Sequence, residues 1–143
     1  MADNPEGVVD AFFRAVGERE VEAAAAFLDA AASFHLPAAD GTSVEPARSF
    51  VEGLTTAFPD LRVELRNSFT TGDTVIVELT MDGTQAADHR GIAAQGKQFS
   101  ADQAWLVEVV DGRITKASAF WCQNVLYRQL GAPAPARARI SAA

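Results

Sequence analysis

The chain has 143 residues, the usual size of one domain, and its 48% hydrophobic and 22% charged content excludes a disordered chain. Twelve basic against nineteen acidic side chains leave a formal charge of −7, which argues against nucleic acid and anionic membrane as partners. No apolar run approaches the roughly 20 residues that cross a bilayer, and the single cysteine, Cys122, excludes an internal disulfide or a cysteine-rich zinc site.

The first segment, MADNPEGVVDAF, carries acids where a signal peptide needs a basic head and an apolar stretch, so a cytoplasmic domain is expected. Asn4 followed by Pro5 reads as a helix start, and Val8, Val9, Phe12, Phe13 and Val16 then share one helical face up to Gly17. EREVEAAAAFLDAAA predicts a second helix with Val21, Ala24, Ala25 and Leu28 on its stripe. The alanine tract leaves the exact face open, because alanine packs anywhere. A short extended piece, SFHLP, is closed by Pro37, and a loop then leads to Pro46. That proline opens a third helix with Phe50, Val51, Leu54 and Phe58 inward, ended by Pro59.

From Leu61 the period changes to alternation. Leu61, Val63 and Leu65 alternate with Arg62, Glu64 and Arg66. After the Thr71-Gly72-Asp73 turn, Val75, Val77, Leu79 and Met81 alternate with outward-facing residues that include Glu78 and Asp82. The glycine-punctuated stretch GTQAADHRGIAAQG precedes a long strand from about Phe99 to Val110. Asp111-Gly112 is a hairpin signal, and the next strand runs to about Trp121. The order of elements predicts an α+β domain over 1–131 and a tail, 132–143, that frays. A long isolated sheet must curl, and helices on its concave side would leave a pocket between the layers.

No phosphate-cradling glycine loop, dinucleotide fingerprint or nucleophile elbow is present, and His35 and His89 lack metal-site spacing, so no metal or other cofactor is implied. The stretch from FPD through GT, GI, FSADQ and DGRI to RQLG, residues 58–131, resembles the SnoaL-like polyketide cyclases of the nuclear transport factor two-like superfamily. The resemblance implies a cone-shaped α+β barrel, a strongly curved, mainly antiparallel sheet wrapped around the N-terminal helices over an apolar cavity. It also implies a cofactor-free enzyme acting on a small hydrophobic polyketide-like substrate, and a homodimer paired through the outer sheet face. The family's aldol members place a histidine and an aspartate in the cavity as an acid/base pair. At the matching positions this chain has Trp105 and Ala119, neither of which can move a proton.

Alternation then puts Ala117 and Trp121 inward with Ala119, and Gln103 and Val107 inward with Trp105. Trp105 and Trp121 are expected to stack on a flat ligand beside Ala119 and Phe58, or else to be core. Gln103 would hold a substrate carbonyl, or else tie strands together. Gln85 stands where many relatives carry a ligand-facing histidine. His35, the one histidine expected to face inward, is the leading general acid or base, its alternative being a half-buried side chain satisfied by a backbone carbonyl. His89, with Asp88 and Arg90, reads as a solvated triplet in a loop that could act as a lid. Asp60 reads as structural, and Cys122 as a small apolar filler. The expected activity is cyclisation without the His/Asp aldol pair, with cofactor-free hydroxylation or isomerisation, or ligand binding without catalysis, as alternatives.

Overall fold

The computed structural model describes residues 4–39 and 41–132. Helix α1, Pro5–Gly17, starts as the sequence dictates: the Asn4 side chain accepts from the Gly7 amide at 3.2 Å, and Pro5 needs no amide partner. It buries Val8, Val9, Phe12, Phe13 and Val16. Helix α2 is much shorter than its alanine tract predicts, only Val21–Ala25, because the chain then enters strand β1, Leu28–Ala38. Helix propensity is a weak preference, and here tertiary pairing overrides it. Leu28, Ala32, Phe34 and Leu36 become buried while β1 pairs in parallel with β6, Arg113–Phe120.

The expected loop before Pro46 is instead strand β2, Gly41–Pro46, folded back on β1. Helix α3, Ala47–Ala57, follows Pro46 and buries Phe50, Val51 and Leu54. Strands β3, Arg62–Thr71, β4, Thr74–Thr84, and β5, Gln98–Val110, are antiparallel neighbours, and helix α4, Gln123–Gln129, covers most of YRQLG. Between β5 and β6, Asp111 and Gly112 have φ of 52° and 76°, the left-handed pair that a two-residue hairpin loop requires.

The sheet runs β2-β1-β6-β5-β4-β3, antiparallel except at β1–β6. It is open. β2 and β3 are edges with no pairing between them, so the closed cone implied by the resemblance is not formed. Helix α1 contacts β3, β4, β5 and β6, and so lies across the inner face. Phe12, Phe13, Phe34 and Trp105 fill that face with edge-to-face rings, their centroids 5.0–6.1 Å apart. A bulge after Leu65 inverts the second half of β3, which turns Phe69 outward, 58% exposed.

Ala132 still bonds the Tyr127 carbonyl at 3.0 Å, while the rest of the predicted tail, 133–143, lies outside the described residues. No described helix is long and apolar enough to cross a membrane.

Candidate active site

Strands β5 and β6 set the site's inner wall. Trp105 and Ala119 face each other in register, and both are buried, as are Gln103, Val107 and Ala117. Asp102, Glu108 and Phe120 point away, as alternation requires. The large indole thus occupies the room over the small alanine. Trp105 is 1% exposed and is enclosed by Phe13, Phe34 and Phe50. It forms core, not a ligand-stacking wall. Its Nε1 donates to Gln103 Oε1 at 2.8 Å. An indole can only donate, so this bond fixes the Gln103 amide with its oxygen engaged and its NH2 presented elsewhere.

That NH2 belongs to the residue where the core gives way to a narrow apolar pocket. Phe50, Phe58, Met81, Phe99 and Trp121 wall it, and Gln103, His89 and Arg90 supply its polar atoms. The free space is only ≈ 30 Å³, about one water's share of liquid volume. The roomy cavity expected of the fold is closed by aromatic side chains. Phe58 is 1% exposed, packed edge-on to Phe99 at 4.7 Å and to His89 at 5.6 Å. Trp121 is half-buried, 6.3 Å from Trp105, and its Nε1 donates to Gln123 Oε1 at 2.6 Å.

His89, not His35, is the histidine of this pocket. On β1 the side chains of Phe34 and Leu36 go into the core, so pleating sends His35 to the opposite face, beside Ser118 and the exposed Val44. The inward orientation implied for His35 by the family resemblance does not hold here, because the register of β1 on β6 turns it to the outer face.

His89 owes its place to a hairpin that the sequence hides. His89 and Ile92 exchange both backbone hydrogen bonds, at 3.0 and 2.9 Å, around Arg90 and Gly91, whose φ values are 48° and 82°. Ile92, 1% exposed, anchors the loop in the core. The imidazole lies between Phe50 and Phe58, and among the described residues no hydrogen bond ties its ring nitrogens. Burial, and then the neighbouring Arg90 charge, push its pKa down to about 4, against a smaller opposing pull from Glu45. It is a neutral imidazole at pH 7. The signal available in the sequence was Gly91 after Arg90, a two-residue turn without its usual Asn or Asp.

Arg90 latches that hairpin to β1 and β2. Its Nε donates to Glu45 at 2.7 Å, and its Nη2 donates to the Pro37 carbonyl and to Ser43 Oγ, both at 2.9 Å. The guanidinium also sits 6.0 Å from the Trp121 ring. Gln85 does not line the pocket. It is 1% exposed and donates to the Ala87 and Ile92 carbonyls, pinning the same loop from behind, while its Oε1 has no partner among the described residues.

Asp60 is structural: its Oδ1 accepts from the Thr84 amide at 2.7 Å, which holds its pKa below the usual carboxylate value. Cys122 is exposed at the start of α4, and is therefore not a packed filler. Among the described residues, no three His, Cys, Asp or Glu side chains are placed to hold a metal ion.

The sequence profile of the SnoaL-like domain matches residues 9–117. The chain belongs to the SnoaL-like family. Solved structures share its fold. AclR from Streptomyces galilaeus, assigned provisionally as a hydroxylase, is 17% identical, with 92% of this chain and 98% of that one covered at a TM-score of 0.74. IdmH from Streptomyces antibioticus, assigned provisionally as a polyketide cyclase, is 20% identical over 90% and 99% at 0.71. TsrD from Streptomyces laurentii is 23% identical over 90% and 95% at 0.75. No curated protein sequence matches the chain.

Proposed function

We propose that this SnoaL-like protein is a cofactor-independent cyclase that closes a ring in an apolar, polyketide-derived intermediate, by a route other than the family's His/Asp aldol pair. The observation that carries the reading is the Gln103 amide. Trp105 fixes its orientation, and its N–H donors belong to a residue that lines an apolar pocket. A preorganised donor aimed at a substrate carbonyl stabilises the negative charge that develops there during bond formation. Apolar walls from Phe58 and Trp121 favour a flat, unsaturated substrate and hold it folded. A space of ≈ 30 Å³ cannot take such a molecule, so the loop around His89 has to lift first, against the Arg90–Glu45 latch.

Two other readings have support. AclR, which shares the fold, is assigned provisionally as a hydroxylase, and that supports hydroxylation as an alternative here, cofactor-free like the isomerisation that the same pocket could host. The small pocket and the absent acid/base pair favour a small-molecule-binding protein. Deleting the gene and identifying what accumulates by mass spectrometry separates the three. Ring closure predicts a stalled compound isomeric with the next intermediate, or differing from it by water, and Gln103→Leu should reproduce the block. A stalled compound lighter by one oxygen would replace cyclisation with hydroxylation. An unchanged metabolite profile would leave only binding.

The expected homodimer fits a row of side chains on the outer face: Phe69, Ile76, Leu106, Ser118, His35 and Val44, in direct register across all six strands. Phe69, Leu106 and Val44 are 58%, 40% and 61% exposed, and Phe120 beside them 56%. Light scattering on Leu106→Glu should find monomers where the parent gives dimers.

A further inference from the structure

The side chains of the pocket sort by what their polar atoms can still do. Gln103 Oε1 is taken by Trp105, which leaves only its NH2. Arg90 never accepts, and its Nε and Nη2 are engaged by Glu45, Ser43 and Pro37, which leaves the Nη1 donors. The Trp121 N–H is occupied by Gln123. Phe50, Leu54, Phe58, Phe99 and Leu126 offer nothing polar. One lining side chain remains with a basic lone pair, the neutral imidazole of His89. Its Nδ1 edge meets α3 at Gly53, where a Cβ would lie 4.0 Å away and where no side chain covers it.

We propose that His89 is the proton-transfer group of this pocket, and that the NH2 of Gln103 and the Nη1 donors of Arg90 hold the oxygen on which charge develops, so that this one imidazole takes over the carbon-acid proton transfer that the family's aldol members give to a histidine and an aspartate. This rests on reading the pocket as the active site. In the first step a ring nitrogen of His89 takes the proton from a carbon next to a carbonyl, and the C–H electron pair moves into an enolate whose oxygen faces the N–H donors. The enolate carbon then attacks an electrophilic carbon of the same molecule. The anion so formed takes the proton back from the imidazolium, and the net change is isomerisation.

The groups facing His89 suit a base that is neutral at rest. Its own loop presents Arg90, β2 presents Glu45, and α3 with the residue that caps it presents the uncharged Phe50, Gly53 and Phe58. Burial and Arg90 keep the ring unprotonated well below neutrality, down to about pH 4. An enolate formed against the Arg90 donors supplies the negative charge that makes the imidazolium tolerable at the moment it forms.

The test uses 5-nitrobenzisoxazole, a flat aromatic carbon acid, on the whole chain. A base takes its ring C–H proton, the C–H pair becomes part of the new nitrile, and the N–O bond breaks, leaving its pair on a phenolate oxygen. Absorbance of the phenolate reports turnover, and quenching of tryptophan fluorescence reports binding beside Trp121. The expected result is binding with turnover above buffer. His89→Ala and His89→Gln should each lose about a hundredfold in rate, the usual scale of a general base, while still quenching. Arg90→Lys should lose less than either.

The pH profile adds a readout that a merely structural role would not move. Between pH 8 and pH 5 the parent rate should stay flat, because the imidazole is already neutral throughout. Binding with an undiminished rate in both His89 variants overturns the proposal and leaves the pocket standing. So does binding without turnover, or a rate that falls with a midpoint near the ordinary histidine pKa of about 6.5. No quenching in the parent overturns the pocket as a ligand site, and this proposal with it.

Discussion

The two ends of the inner sheet face are made from similar residues and do different things. Around Trp105 the rings of Phe13, Phe34 and Phe50 leave no space, and the one polar atom, the indole N–H, is paired with Gln103. Further along, around His89, the rings of Phe50 and Phe58 still pack, yet the ring nitrogens of His89, the NH2 of Gln103 and the Nη1 of Arg90 have no partner among the described residues beside ≈ 30 Å³ of free space. Packing is a structural device where every polar group is satisfied. Where polar groups are held in place but left unpaired, the same walls make a site. Trp105 belongs to both ends, because its indole seals one and orients the amide that serves the other.

The comparison breaks most sharply at Trp105. Trp105→Ala should cost ~3–5 kcal/mol in denaturant unfolding, the range for emptying a buried aromatic position beside residues that cannot collapse into it. It should also release the Gln103 amide, so any activity should fall further than the loss of folded protein explains.

The His89 end should show itself in pH. Its folded pKa, about 4, lies below the ordinary histidine value, so the unfolded chain binds the extra proton first as pH drops. Stability from this group is therefore fully present above pH 6.5 and is lost progressively between about pH 6.5 and pH 4, on the order of 3 kcal/mol in total. Urea titrations of the parent and His89→Gln should diverge over that window and run parallel above it. Equal slopes throughout would mean the ring is not buried as described.

Gly83→Ala sharpens the boundary between the ends. A Cβ there would meet Phe58 Cβ at 3.1 Å and Asp60 Oδ1 at 3.4 Å, so Phe58 must yield towards the pocket. The expected cost is about 1–2 kcal/mol, as for modest overpacking. The smallest effect should come from Glu45→Gln. It removes the carboxylate that holds Arg90 and takes away the negative charge that raises the His89 pKa, so an NMR titration should find that pKa lower still.

The strands from β3 to β6 were legible because Val75 to Met81 and Gln103 to Val107 alternate cleanly, and an inner residue fixes its neighbours two positions away. The ends of α1 were legible through Asn4, Pro5 and Gly17. The second helix misled because alanine carries propensity but no face, and nothing local in EREVEAAAAFLDAAA shows that a parallel partner waits at Ile114 to Ser118. The same pairing turns His35 to the outer face. Gln103 was legible as an inward amide, and its partner was not, since a hydrogen bond to Trp105 depends on two rotamers. His89 was missed for a similar reason: the hairpin that buries it turns on Arg90 at positive φ, a position more often held by Asn or Gly.

The most direct test of the two-ended face is a titration of nitrogen-labelled protein with 5-nitrobenzisoxazole, followed through the two indole N–H signals and the side-chain amide of Gln103. The Trp121 indole and the Gln103 amide should shift together, while the Trp105 indole stays bonded and protected from hydrogen exchange. Shifts confined to Gln98 and Gln129, in the open groove beside Asp60 and Arg62, would contradict it, and so would a Trp105 indole that loses its protection as ligand binds.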